Sequence, residues 1–271
     1  MDVPFDFRGK HAFVFGGTSG INLGIAECFA QCGARVAVAS RSRDKVDAAV
    51  ARLRSHGGEA AGFCADVRDV DGVAAAFEGA AQAFGAIDVL VSGAAGNFPA
   101  PALGMSPNGF KAVVDIDLLG TFHVLRAAHP HLAKPGASII NISAPQAFVP
   151  MPFQVHVCAA KAGVDMVTRV LAMEWGPQGI RVNSIVPGPI AGTEGMARLA
   201  PTAEARALVT RTVPLGRDGT PRDIGHAALF LASPFAAYIS GVVLPVDGGW
   251  SLGGVTVAMS AMAKAFAAAG G

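Results

Sequence analysis

The chain has 271 residues, a length that fits one large α/β domain or two small ones. Apolar residues make up 52% of the sequence and charged residues only 15%, so we expect a large buried core. The formal net charge of +1 argues against a nucleic-acid-binding surface and a polybasic membrane patch. Three long uncharged stretches, residues 89–110, 135–160 and 224–246, are interrupted by Pro, Gly or Asn. They predict buried parallel strands with their loops rather than membrane spans.

None of the four cysteines belongs to a CxxC pair, and the histidines form no cluster with ligand spacing. The first residues, MDVPFDFRGK, lack the pattern of a signal peptide. We therefore expect reduced thiols, no metal site and a cytoplasmic protein.

The region from residue 11 to residue 39 predicts the first half of a dinucleotide-binding fold. The apolar run HAFVF leads into the glycine-rich segment GGTSGINLG, a helical run follows to Cys32, and an apolar strand begins near Val36. Glycines suit such a turn because the backbone must bend tightly and approach a pyrophosphate, which binds the free N–H groups of the helix N-terminus. The predicted cofactor-binding residues here are Gly16, Gly17, Thr18, Ser19, Gly20 and Ile21.

The end of the second strand, SRSR at residues 40–43, indicates the type of cofactor. An acidic residue at this position would bind a ribose 2′-hydroxyl, whereas an arginine accommodates a 2′-phosphate. Arg41, Ser42 and Arg43 provide two cations and no carboxylate, which favours NADPH over NADH. A solvated basic loop is the alternative interpretation.

The alternation of strands and helices continues to residue 246 without a linker. It predicts one domain, 1–271, with a Rossmann-type doubly wound parallel sheet of about seven strands and helices on both faces. The core covers about residues 8–250, and the Gly/Ala-rich residues 251–271 predict a short helix or a frayed tail. Later strands are expected at 60–64, 87–91, 138–142, 180–186 and 242–246. Helices are expected at 44–56, 70–84, around 115–120 and 221–231, together with a long helix that contains Lys161 and ends at Trp175.

The glycine-rich loop resembles the TGxxxGxG loop of the short-chain dehydrogenase/reductase family, with Phe15 at the threonine and Asn22 at the third glycine. The resemblance covers roughly residues 8–250. Ser92 and Gly93 stand where the family usually has two asparagines in an NNAG element. The resemblance implies a bound nicotinamide cofactor. Its adenine would lie near Asp66 and Val67, and the cofactor would lie against the strand end at Ala94. The PGPIAGTEG loop would close over its nicotinamide with Pro187, Gly188, Pro189, Ile190 and Thr193.

The catalytic tyrosine of that family is missing. Lys161 occupies the lysine position of the YxxxK pair, but Val157 stands at the tyrosine position, and the only tyrosine of the chain is Tyr238. The family's serine position falls on Ala144 and its asparagine position on Asp117. Two interpretations remain: a protein that binds NADPH without chemistry, or a reductase whose reaction needs no tyrosyl acid.

The second interpretation is favoured by a closer resemblance. The segments AAGNF, SPNGFKAVVDIDLLGTF, QVHVCAAK and PGPIAGTEG are similar to the 2,4-dienoyl-CoA reductases, particularly the peroxisomal type. That branch also lacks the tyrosine, keeps the lysine and has Asp at the asparagine position. The resemblance implies NADPH-dependent reduction of a 2,4-dienoyl-CoA to a 3-enoyl-CoA, with trans-2-enoyl-CoA reduction as the alternative reaction.

The catalytic residues expected from this resemblance are Lys161 and Asp117. The reaction needs stabilisation of a dienolate rather than protonation of an alkoxide. Lys161 would hold the nicotinamide ribose and supply positive charge near the oxyanion. Asp117 cannot donate a hydrogen bond while ionised, so it would orient Lys161 or a proton-supplying water. The alternative is a buried partner of Lys161 with no chemical role. His156 and Gln146 are weaker candidates for an acid and an amide donor.

The substrate would be an acyl-CoA. Phe98 and the Ser106-Pro107-Asn108 turn match substrate-side motifs of this branch, and Arg68 and Arg198 would contact the phosphates of coenzyme A. Core packing for Phe98 and a surface position for each arginine are the alternatives. The family resemblance also implies a homotetramer formed through the long helices and the final strand.

Overall fold

The computed structural model describes residues 5–268, without the side chains of residues 199 and 262–268. The predicted domain also included residues 1–4 and 269–271, which lie outside the described residues. Within this range the strands form one seven-stranded parallel sheet of order β3-β2-β1-β4-β5-β6-β7. The strands are β1 (His11–Phe15), β2 (Arg35–Ser40), β3 (Ala60–Cys64), β4 (Val89–Ser92), β5 (Ser138–Ile142), β6 (Arg181–Pro187) and β7 (Val243–Val246).

The strand order confirms the predicted doubly wound sheet. The order reverses between β1 and β4, and this reversal opens a crevice at the carboxyl ends of the strands. The predicted strand at 87–91 begins later than expected. Ile87 forms only an isolated bridge with Leu132, and the ladder to β1 starts at Val89.

Ten α-helices are seen among the described residues. They are α1 (Gly20–Gln31), α2 (Arg43–Arg54), α3 (Val70–Phe84), α4 (Pro107–Val113), α5 (Gly120–Ala128), α6 (Val155–Trp175), α7 (Glu194–Leu199), α8 (Ala203–Arg211), α9 (Pro221–Ala232) and α10 (Gly254–Ala268). A π-helical segment, Val114–Leu119, joins α4 to α5. The sequence did not predict α7 and α8, and the Ala-rich C-terminal region is helical over α10.

The core has two halves, one on each face of the sheet. Alternate residues of β1 face opposite sides, so Val14 packs with α1 and α9 whereas Phe13 and Phe15 pack with α3 and α5. The Phe13 and Phe77 rings lie 4.8 Å apart between centroids. Every residue of β1 is buried because helices cover both faces, which explains the continuous apolar run in the sequence. Among residues 5–268 there is no helix with both the length and the apolar character to cross a membrane.

Helices α1 and α9 pack so closely that glycine is required at their contact. A Cβ atom at Gly24 would lie 2.3 Å from Pro221 Cβ, and one at Gly225 would lie 2.3 Å from Cys28 Sγ. This contact sets the position of α1, whose N-terminus follows the glycine-rich loop.

We expect Gly24→Ala to lower the free energy of unfolding by about 1–3 kcal/mol, because the added methyl group overpacks the α1–α9 contact. Gly195→Ala is the matched control, since Gly195 is also helical and a Cβ there meets no atom within 4 Å. Urea denaturation of both variants measures the difference. Equal stability of the two variants would show that the contact relaxes without cost.

Candidate functional site

A cleft of about 540 Å³ lies at the carboxyl ends of the strands, where the strand order reverses. It brings together sixteen residues that the sequence analysis selected: Gly16, Thr18, Ser19, Gly20, Ile21, Arg41, Asp66, Val67, Ala94, Asp117, Lys161, Pro187, Gly188, Pro189, Ile190 and Thr193. Nine other predicted site residues do not line the cleft: Gly17, Ser42, Arg43, Arg68, Phe98, Ser106, Pro107, Asn108 and Arg198.

The glycine-rich loop has the geometry that a pyrophosphate needs. Gly16 and Gly20 have φ angles of 83° and 53°, in the left-handed region that favours glycine. A Cβ atom at Gly16 would lie 3.0 Å from the backbone N of Ala94, which closes the loop against the end of β4. Ser19 precedes α1 without a side-chain capping bond, so it leaves the first N–H groups of the helix for a ligand.

Two of the departures from the family pattern, Asn22 and Gly93, lie against each other. Asn22 Nδ2 donates a hydrogen bond of 2.7 Å to the Gly93 carbonyl. A Cβ atom at Gly93 would lie 2.3 Å from Asn22 Oδ1. The amide therefore comes from α1 and fills the space that a side chain at residue 93 would need, so the two positions depend on each other.

Of the two arginines that follow β2, one lines the cleft and the other pairs with a carboxylate of its own helix. Arg41 is exposed and lines the cleft, and so does Lys45, a residue that the sequence analysis did not select. Arg43 instead faces Asp47 on the same helix at 3.8 Å. Ser42 caps α2 by accepting the Lys45 N–H at 3.5 Å. A helix that begins at Arg43 brings Lys45 back towards the cleft within its first turn.

Asp66 and Arg68 form a two-point ion pair beside the cleft. The Arg68 guanidinium donates to both Asp66 carboxylate oxygens, at 3.0 and 2.6 Å. These bonds hold the pKa of Asp66 below its usual value, against a smaller opposing effect of burial. Arg68 is thus engaged with Asp66, and its predicted contact with substrate stays a prediction.

Lys161 and Asp117 form a buried ion pair in the wall of the cleft. Their relative exposures are 5% and 1%, and Lys161 Nζ lies 3.4 Å from Asp117 Oδ2. Lys161 also donates to the Ile142 carbonyl at 3.0 Å, and Asp117 Oδ1 accepts the Gly96 N–H at 2.7 Å. Asp117 lies in the π-helical segment, a rare conformation that occurs frequently at functional sites.

Val157 occupies the tyrosine position and lines the cleft, where it is buried with Val113 and Ala160. His156 does not replace the missing acid. Its ring does not line the cleft but packs edge-on against Phe98, 4.6 Å between centroids. Burial lowers the pKa of His156, which favours the neutral ring at physiological pH.

Two glutamines form a hydrogen-bonded pair in the cleft wall. Gln146 Nε2 donates to Gln154 Oε1 at 2.7 Å, and Gln154 is buried at 3% exposure. Gln154 was not selected from the sequence, although its position three residues before Val157 places the two one helical turn apart. The preceding residue, Phe153, has a φ of 65°, which costs about 1–3 kcal/mol for a non-glycine residue.

The predicted substrate residues gather next to the cleft, around the segment that follows β4. Ser106 caps α4 by accepting the Gly109 N–H at 3.0 Å, and a Cβ at Gly109 would lie 3.3 Å from the Phe98 ring. Arg198 donates to the carbonyl of Asn97, a cleft residue, at 3.0 Å. The structure therefore places Phe98, the cap of α4 and Arg198 at one border of the cleft.

Because Asn22 fills the space beside Gly93, we expect substitutions at these two positions to be strongly coupled in a double-mutant cycle. Gly93→Asn alone should lower the free energy of unfolding by about 1–3 kcal/mol through overpacking, and Asn22→Gly alone by about 1 kcal/mol through the lost hydrogen bond. In the double variant the amide of residue 93 gains the space that Asn22 leaves. Urea denaturation of the double variant should then show a smaller loss of unfolding free energy than the sum of the two single-variant losses. Additive losses would contradict the dependence of the two positions on each other.

The sequence is similar to known reductases over most of its length. A family model described as enoyl-(acyl carrier protein) reductase matches residues 16–251. A peroxisomal 2,4-dienoyl-CoA reductase [(3E)-enoyl-CoA-producing] from Rattus norvegicus is 46% identical over 248 residues, 91% of this chain and 85% of that protein. A probable 2,4-dienoyl-CoA reductase [(2E)-enoyl-CoA-producing] from Bacillus subtilis is 40% identical over 243 residues, 89% of this chain and 96% of that protein.

The fold is also similar to that of a solved short-chain oxidoreductase. The NADPH-bound short-chain oxidoreductase from Pseudomonas aeruginosa PAO1, described as containing an atypical catalytic center, is 32% identical and has a TM-score of 0.85. The match covers 91% of this chain and 98% of that chain. The sheet order, the glycine-rich loop and the retained lysine agree with these matches, and the chain belongs to the short-chain dehydrogenase/reductase family of oxidoreductases.

Proposed function

We propose that this protein is an NADPH-dependent reductase of unsaturated acyl-CoA thioesters, with a 2,4-dienoyl-CoA as substrate and a 3-enoyl-CoA as product. The observation that carries the proposal is the combination of Val157 at the tyrosine position with a buried Lys161–Asp117 pair in the same cleft. The names of the rat and Bacillus subtilis relatives support the substrate class.

The missing phenol decides against ordinary ketone reduction. Hydride addition to a ketone creates an alkoxide that needs a proton donor at the oxygen. The only tyrosine of the sequence, Tyr238, is fully exposed and does not line the cleft. A conjugated thioester does not need this acid, because the negative charge spreads into a dienolate and the proton is added at carbon.

The residues of the cleft fit a bound nicotinamide cofactor. The glycine-rich loop would hold its pyrophosphate, Lys161 its nicotinamide ribose, and the loop that begins at Pro187 its nicotinamide. Bound NADPH would supply the hydride. Lys161 would place positive charge near the thioester oxygen, and Asp117, which already fixes the Lys161 ammonium, would orient it and a water that gives its proton to carbon.

NADPH is preferred over NADH in this proposal because Arg41 and Lys45 both line the adenine side of the cleft. Cations there would bind a 2′-phosphate. Asp66, a carboxylate that also lines the cleft, is already paired with Arg68. Lys45 Nζ lies 3.6 Å from Glu194 Oε1 in an exposed contact, so a 2′-phosphate would compete with this carboxylate for Lys45.

The acyl-CoA would enter at the border formed by Phe98, Arg198 and the start of α4, where Ser106, Pro107 and Asn108 form the cap and first residues of a helix rather than the predicted turn. Phe98 would cover the flat diene, and Arg198 and Arg68 would contact the coenzyme A phosphates. The position of the product double bond is part of the proposal, since the rat and bacterial relatives are named for different enoyl products.

The test is oxidation of NADPH by the purified protein with trans,trans-2,4-hexadienoyl-CoA and longer dienoyl chains, followed by product analysis. We expect turnover with dienoyl-CoA and NADPH, a 3-enoyl product, slower turnover with NADH, and none with a simple ketone. Lys161→Ala should lower kcat/KM by at least about 100-fold, because an oxyanion-stabilising charge is lost. Lys10→Ala, which removes a lysine of an exposed ion pair, should not change it.

Two results would contradict this proposal. Binding of NADPH without consumption of any acyl-CoA would favour a non-catalytic cofactor-binding protein. A saturated product formed from a 2-enoyl-CoA would favour the trans-2-enoyl-CoA reductase instead.

We also propose that the protein is a homotetramer in the cytoplasm; the rat relative is named as peroxisomal, so the compartment stays a prediction. Large apolar side chains remain exposed on α6 and near the start of α5: Leu119, Phe122, Met166, Val170 and Met173. Burial between subunits would remove this apolar surface from water. Light scattering should give about four times the 27.4 kDa chain mass. A monomer at micromolar concentration would exclude this assembly.

A further inference from the structure

Gln154 lies in the same cleft wall as Val157, the residue at the tyrosine position. It directly precedes α6, three residues before Val157 and seven before Lys161, and all three side chains line the cleft. Gln154 is only 3% exposed, and its side chain is longer than that of Val157. A polar group that is buried in the wall of a ligand cleft can contact the ligand without an additional conformational change.

The hydrogen bond between the two glutamines leaves the Gln154 donors available. Gln146 Nε2 donates to Gln154 Oε1 at 2.7 Å, which uses the oxygen of the Gln154 amide. Among the described residues, no hydrogen bond from Gln154 Nε2 is seen. An amide has two N–H donors on this nitrogen, and Gln154 Nε2 is not one of the fully buried unpartnered atoms, so it keeps contact with the solvent of the cleft. A ligand oxygen in the cleft would supply the partner.

The backbone before Gln154 is held in an unfavourable conformation. Phe153 is the one non-glycine residue with a positive φ angle among residues 5–268, at 65°. Its carbonyl accepts the Ala100 N–H at 2.9 Å, which ties it to the segment after β4. Backbone strain of this kind persists where surrounding contacts impose it, and it is concentrated at functional sites. Here it fixes the residue that carries the amide.

The charged neighbours of Gln154 already hold each other. Lys161 donates to the Ile142 carbonyl and pairs with Asp117. The Ser143 hydroxyl also lines the cleft and is buried without a hydrogen-bond partner among the described residues; it lowers the pKa of the Asp165 carboxyl, which burial raises to a larger extent. His156 does not line the cleft. Gln154 is thus the amide donor nearest in the chain to the empty tyrosine position.

We propose that Gln154 donates a hydrogen bond from Nε2 to the thioester oxygen of the substrate, and that Gln146 positions it. This inference rests on the proposed function and deepens it. Hydride forms the new C–H bond at the far carbon of the diene, and the displaced π electrons move to the thioester oxygen, where Gln154 stabilises the charge. A proton from water then bonds to carbon as the thioester C=O re-forms. The amide keeps its own protons, so it replaces the hydrogen bond of the tyrosine and not its acidity.

The test compares Gln154→Met with Gln31→Met, in which the same substitution is made at an exposed residue at the far end of α1. We expect Gln154→Met to lower kcat with dienoyl-CoA by about 10²–10³-fold, the usual loss for one oxyanion donor. The affinity for NADPH, measured by fluorescence titration, should stay within about twofold and shows that the variant is folded. Gln31→Met should retain wild-type kcat.

Two further variants separate a donor from a packing role. Ionised Gln154→Glu has a similar shape but can only accept hydrogen bonds, so we expect kcat to fall at least as far as in Gln154→Met. Gln146→Leu should lower kcat by a smaller factor and add little to Gln154→Met in the double variant, because both act through one amide.

The proposal and the function on which it rests fail in different ways. If the wild-type protein does not consume dienoyl-CoA, the proposed function is wrong. If the wild-type protein is active and Gln154→Met or Gln154→Glu keeps its kcat, the function stands and the role of Gln154 is wrong. A raised KM with unchanged kcat would also overturn it, because it would indicate binding without stabilisation of the transition state.

Discussion

The buried pair of Lys161 and Asp117 connects four segments of the chain. Asp117 belongs to the π-helical segment and accepts the Gly96 N–H after β4, while Lys161 belongs to α6 and donates to Ile142 at the end of β5. A buried ion pair is weak evidence for stability, because removing two charges from water is unfavourable. Its role is positional: the pair fixes the ammonium group in the cleft wall and links the segments that carry Gly96 and Ile142.

Two of the departures from the family pattern are accompanied by changes at neighbouring residues. The asparagine at the third glycine position coincides with a glycine at the end of β4, and the two share one space, so the loop keeps its closure against Ala94. The valine at the tyrosine position is preceded, three residues earlier, by Gln154, which is hydrogen-bonded to Gln146. A cleft without an acidic hydroxyl but with a fixed cation and amides suits a reaction that spreads charge over a conjugated system rather than one that ends on an alkoxide.

Pattern and spacing predicted most of the fold and many of the residues that line the cleft, because they depend on local rules. Alternating apolar strands, glycines at positive φ and one lysine one turn after Val157 are visible in the sequence. Helices α7 and α8 were missed, since their short polar segments have little apolar periodicity. Lys45 was missed because it reaches the cleft only through the turn of α2, and Gln154 because its partner Gln146 approaches it from a separate segment.

The sequence by itself determined the sheet, the single domain, the glycine-rich loop, the family resemblance and the loss of the tyrosine. These follow from hydrophobic periodicity, glycine conformation and residue identity. Only the tertiary structure decided which polar groups meet: Arg41 with Lys45 at the cleft, Asn22 with the Gly93 carbonyl, Arg198 with the Asn97 carbonyl, and Gln146 with Gln154. Hydrogen-bond partners of this kind depend on distances of about 3 Å between groups of different segments, which linear spacing does not specify.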